Sequence, residues 1–139
     1  MSAPRCPFQT PIIAGDFECS LGDHVTVRNA PQVHCRSPDA LRRCERVYAR
    51  LKDVGLPAFG MEDDLLSTPH SVMQKIQYGG LLGLQSLSGL APESPGTIPD
   101  IGALIERLDA DPGLDALPYS GLASGMTDFQ LKRRRGRRR

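Results

Sequence analysis

Along this chain the apolar residues fall first in short scattered pieces and then at helical spacing. Over residues 1–36, turn-forming residues alternate with short apolar runs such as Phe17-Glu18-Cys19 and Val25-Thr26-Val27, which predicts loops with one or two short strands. The pattern changes at Ser37. Ser37 as N-cap, Pro38 at the first helical position and Asp39 in the first turn open a helix, and Gly55 is placed to close it, which predicts helix over residues 38–54. On a helical wheel Leu41, Cys44, Val47, Tyr48, Leu51 and Val54 share one face, while Arg42, Arg43, Arg46 and Arg50 crowd the next. Cys44 therefore points inward with the core.

Thr68 as N-cap and Pro69 announce a second helix, with Val72, Met73 and Ile76 as its apolar stripe and Gly79 as C-cap after Tyr78. If the helix ran on, Gly79, Gly80 and Gly83 would fall on or beside that stripe and present bare backbone to whatever packs there. Ser, Gly and Pro dominate residues 86–99, which read as a linker. Asp100 then caps a short amphipathic helix with Ile101, Leu104, Ile105 and Leu108, ended by Pro112-Gly113. Alone it is too short to be stable in water, so it docks on the body or folds on a partner. Residues 113–139 read as a disordered tail by composition.

Composition narrows the picture. Glycine (14) and proline (12) make nearly a fifth of the 139 residues, aromatics are 5% and tryptophan is absent, so the expected core is modest and in need of a staple such as a metal. The net charge of +1 conceals a segregation: residues 1–55 hold eight Lys/Arg against six Asp/Glu, residues 56–131 two against ten, and residues 132–139 seven against none. No secretory pattern opens the sequence and no apolar run approaches membrane length, so a cytoplasmic protein without a membrane span is expected.

In a reducing compartment four cysteines point to metal ligation rather than to disulfides. They are spaced Cys6-x12-Cys19-x15-Cys35-x8-Cys44. Structural zinc sites usually bring ligands in pairs two to four residues apart, a signature missing here, whereas a cubane cluster can be reached from separate loops. The expected centre is therefore an iron-sulfur cluster, 4Fe-4S first, with zinc as the alternative. Cys35 lies ahead of a helix N-terminus and beside Arg36, a setting that favours a thiolate. Cys6 is followed by Pro7, as at a ligand of bacterial ferredoxins. Gly79, Gly80 and Gly83 are candidates to bring backbone amides to the cluster. His34 is read as a hydrogen-bonded or solvated side chain rather than a ligand. Glu62, Asp63 and Asp64 form an acidic loop able to bind a divalent cation but equally explained by solvation. Phosphate-binding loops, nucleophile elbows and H-E-x-x-H motifs are missing, which argues against an enzyme.

The dispersed cysteines, the Ser37-Pro38-Asp39 helix start and the stretch from Lys75 to Leu84 resemble small four-cysteine iron-sulfur accessory proteins of bacterial electron-transfer and nitrogen-fixation systems. The resemblance implies a redox or accessory role and docking on a larger redox protein. The face bearing Arg42, Arg46 and Arg50 is the candidate docking surface. The tail holding Lys132, Arg133, Arg134 and Arg135 is a candidate site for a polyanion or nucleic acid, and a zinc-stabilised module binding nucleic acid through it is the alternative function. No aromatic residue interleaves with those arginines, so base stacking is not expected. The expected fold is a small, mainly α domain. An irregular cysteine-bearing lobe packs on two helices within residues 1–85, followed by the linker at 86–99, the short helix at 100–112 and the tail at 113–139.

Overall fold

The computed structural model describes residues 4–61, 69–89 and 96–130. The chain is mainly helical, and its elements run α1 (Gln9–Ala14), β1 (Gly22–Val27), β2 (Ala30–Cys35), α2 (Pro38–Ala58), α3 (His70–Ser88), α4 (Ile101–Ala110), two 3-10 turns (Leu114–Ala116 and Tyr119–Leu122) and α5 (Ala123–Thr127). The N-terminal lobe contains the two short strands, paired antiparallel from Gly22 opposite Cys35 to Val27 opposite Ala30. Arg28 and Asn29 join them with φ of 52° and 67°, the left-handed pair of a two-residue hairpin whose twist matches its strands. The residues before α1 lie along the far side of β2, with the Cys6 amide donating to the Val33 carbonyl at 2.8 Å and the Cys35 amide to Pro4 at 2.8 Å.

Ser37 caps α2 as expected, its hydroxyl accepting from the Ala40 amide at 3.1 Å. The helix does not stop at Gly55. It runs to Ala58 with Gly55 buried, because a Cβ there would stand 2.8 Å from both Ile76 Cγ1 and Met126 Sδ. That glycine serves close packing rather than termination.

The second helix likewise departs from expectation: α3 passes straight through Gly79, Gly80 and Gly83 and ends at Gly89, whose φ of 78° makes it the left-handed cap. A Cβ on Gly79 would lie 2.6 Å from the Gly125 carbonyl oxygen and the Met126 Cα, so the bare backbone receives α5. The glycines face Leu51, Leu122 and the α5 backbone and bring no amide to the cysteines.

The boundaries at 85 and 113 also give way. Ser86–Ser88 belong to α3, and Ile98 forms a parallel bridge to Phe17. The short helix α4 docks on the body, burying Ile101, Leu104, Ile105 and Leu108. Leu114, Leu117, Tyr119, Leu122 and Met126, in the stretch read as tail, enter the same core as Val47, Leu51, Ile76 and Leu81. Isolated apolar residues among Gly, Ser and Pro carry no periodicity, but the turn at Leu114–Ala116 packs on α2 and α4, and the turn at Tyr119–Leu122 and α5 pack on α2 and α3. The acidic loop at 62–64, the cap at Thr68 and the basic run at 132–139 lie outside the described residues. Among the described residues no helix is long and apolar enough to cross a membrane.

Candidate metal centre

Each cysteine arrives on a different piece of backbone. Cys6 precedes α1, Cys19 sits in the loop before β1, Cys35 ends β2 and Cys44 lies in the second turn of α2. All four line one recess, together with Pro7, Leu21, Gly22, Ala40, Leu41, Ile101 and Gly102. Cys6 and Cys44 are buried at its floor, while Cys19 and Cys35 are half-buried. The wall is apolar because the hairpin, the first turns of α2 and the start of α4 each turn a small or aliphatic residue inward.

Burial dominates the electrostatics of the recess, and the cysteines act on one another within it. Burial pushes the Cys6 thiol up to about 12, against an opposing hydrogen bond from the Phe8 amide, and Cys19 and Cys35 raise it further. Cys44 is raised strongly, chiefly by burial and then by each of the other three cysteines. Cys19 is raised by burial, opposed by the amides of Leu21 and Gly102 and reinforced by Asp100 and Cys35. Every pair among the four thus interacts. Cys6, Cys19 and Cys44 are therefore held as neutral thiols, and they would ionise together in this apolar recess only beside a cationic partner.

Amide donors already reach two of the sulfurs: Phe8 N–H points to Cys6 Sγ at 3.4 Å, and Leu21 and Gly102 serve Cys19. The Cys35 thiol donates to the Ser37 carbonyl at 3.3 Å. Arg36 turns from the recess to the Ser20 carbonyl and to Asp23 at 3.5 Å. His34, on the opposite face of β2 from Val33 and Cys35, meets Gln32 Oε1 through Nε2 at 3.0 Å. Among the described residues no group of three or more His, Cys, Asp or Glu is arranged to hold a single metal ion.

The arginine face of α2 has partners of its own. Arg42 pairs with Asp39, Arg46 reaches Asp115 at 2.9 Å and Arg50 lies 4.0 Å from the same carboxylate and 4.5 Å over the Tyr119 ring. Arg46 and Arg50 therefore pin the segment after α4 to α2, a role the helical wheel did not suggest. Gly102 also escaped the sequence reading. Its signal was a glycine in the first turn of a short helix, where alanine would favour the helix by about 1 kcal/mol. No family model, curated protein or solved structure matches the chain.

Proposed function

We propose that Cys6, Cys19, Cys35 and Cys44 hold an iron-sulfur cluster of the 4Fe-4S kind, and that the protein is an electron-transfer or redox-accessory protein docking on a larger partner. The observation that carries this reading is the convergence of four cysteines, far apart in sequence and on four pieces of backbone, around one apolar recess. A cubane presents its iron corners over a larger volume than one tetrahedral ion and can be reached from separate pieces of backbone, which suits cysteines carried by four of them. The recess between the sulfurs is only about 10 Å³, however, and has to widen to take a cluster. When bound, such a cluster supplies a one-electron redox step. The chain's own part is to exclude water with Pro7, Leu21, Leu41 and Ile101, to direct amides at Cys6 and Cys19, and to leave the Cys19–Cys35 side nearest the surface.

Anaerobically purified protein tests the reading. Brown protein with a broad band near 400 nm, bleached by dithionite, and iron with acid-labile sulfide in comparable amounts are expected. Colourless protein with one stoichiometric zinc would replace the cluster by the zinc alternative. Folded protein free of metal would remove both.

A further inference from the structure

Building on that reading, we propose that Gly102 is a positioning residue of the centre: its missing side chain lets the first turn of α4 close on Cys19, so that backbone amides rather than a side chain face that sulfur. The Cys19 loop is tied to the start of α4 at three points. Glu18 N–H donates to Ile98 O at 2.9 Å, Ile101 N–H to Glu18 O at 2.8 Å and Ser20 N–H to Asp100 Oδ1 at 3.1 Å. A Cβ on Gly102 would stand 3.2 Å from Cys19 Sγ, closer than an ordinary contact, and 3.4 Å from Leu21 Cδ1, so the sulfur or the helix would have to give by a few tenths of an ångström.

Backbone conformation does not demand glycine here. Gly102 is buried within a regular helix and is not among the positive-φ glycines of the described residues, Gly15, Gly60, Gly89, Gly96 and Gly113. Glycine in such a place costs about 1 kcal/mol against alanine, and the space an alanine would need is taken by the Cys19 sulfur. Among the four sulfurs Cys19 is the one on which two amides converge, from Leu21 and Gly102, with the Asp100 carboxylate acting against them.

These surroundings set the midpoint potential in opposite directions. Amide donors to sulfur stabilise the more negative, reduced centre, and a nearby carboxylate destabilises it. Gly102→Ala moves the amide away and lowers the potential. Asp100→Asn removes the charge, retains a good N-cap and raises the potential. Gly121→Ala, where the added Cβ meets nothing within 4 Å, leaves it unchanged.

The experiment is an anaerobic dithionite titration of the wild type and the three variants after loading with iron and sulfide, with melting of the metal-free proteins alongside. The expected result is a fall for Gly102→Ala, a rise for Asp100→Asn and no change for Gly121→Ala. An unaltered potential in Gly102→Ala, with or without a lower melting temperature, overturns the proposal by reducing Gly102 to a packing residue. Should Gly102→Ala fail to load, Asp100→Asn decides, and no rise there overturns it. A wild type that takes up neither iron nor sulfide refutes the cluster itself, an outcome separate from a loaded wild type whose variants do not differ.

Discussion

Replacing Gly79 by alanine sets two effects of known size against each other. Alanine in the interior of α3 gains about 1 kcal/mol in helix propensity. The new Cβ, however, would lie 2.6 Å from the Gly125 carbonyl oxygen, 2.6 Å from the Met126 Cα and 2.9 Å from the Gly125 carbonyl carbon. All three are backbone atoms, so no rotamer change relieves the contact and α5 must retreat by about 1 Å. Overpacking of this kind costs about 1–3 kcal/mol, and the backbone contact puts it at the upper end, leaving a net loss of about 1–2 kcal/mol. Gly83→Ala is the matched comparison. There the close atom is Leu122 Cδ2 at 2.7 Å, the end of a flexible side chain, with the next contacts at 3.7 and 3.9 Å, so the propensity gain is offset only partly and the variant should be as stable as the wild type or slightly more so. Urea denaturation and thermal melting read the difference, each kcal/mol shifting the melting temperature by roughly 3–5 °C in a chain of this size. Equal stability of the two variants, or a gain for Gly79→Ala, would refute the close packing of α3 on α5.

The remaining predictions concern the recess and the tail. Cys44→Ala should abolish cluster loading, with Cys44→Ser nearly as harmful, as read by iron and sulfide content; unchanged content in all four single cysteine variants would sink the ligand assignment. In the metal-free protein, burial raises the thiols of Cys6, Cys19 and Cys44 above their ordinary value of 9.0, Cys6 to about 12. The fold therefore holds protons that the unfolded chain releases first, so stability should be flat with pH below about 9 and fall from there towards 12, as raised Tyr48, Tyr78 and Tyr119 also require; urea midpoints at pH 7, 8.5 and 10 check it, and a rise would contradict it. Deleting residues 132–139 should leave loading intact while weakening attraction to polyanions, with a log-log salt slope of roughly 0.9 lost per phosphate neutralised on duplex DNA. Identical DNA binding with and without the tail would count against any such role.

Local signals proved reliable where one residue had one use. Ser37-Pro38-Asp39 has few readings other than a helix start, and the wheel of α2 placed Cys44 inward correctly. Glycine has two uses, and the sequence does not separate them. Gly55 and Gly79 look like helix stops, yet both are close-packing positions, decided by Ile76, Met126 and Gly125 from elsewhere in the chain. Compositional reading failed at Leu114, Leu117, Leu122 and Met126, which bury singly rather than as a periodic face. The meeting of Cys6, Cys19 and Cys35 was not legible from spacing, because it depends on the pairing of β1 with β2 and on the attachment of the N-terminal residues to β2. The arginines of α2 were legible as an exposed row, but not their tie to Asp115 and Tyr119.

The order in which the recess is built follows the order of synthesis. All four cysteines lie within the first 44 residues, whereas Ile101 and Gly102, which cover Cys19, come 57 residues or more after Cys44. At roughly 5–20 residues per second, a ribosome takes about 3–11 s to cross that interval. For those seconds the nascent chain carries a complete set of thiols without its cover, so a centre of the proposed kind, delivered then, would meet the cysteines uncovered. Once α4 docks, the same delivery would have to displace a helix whose four large apolar side chains are buried in the core.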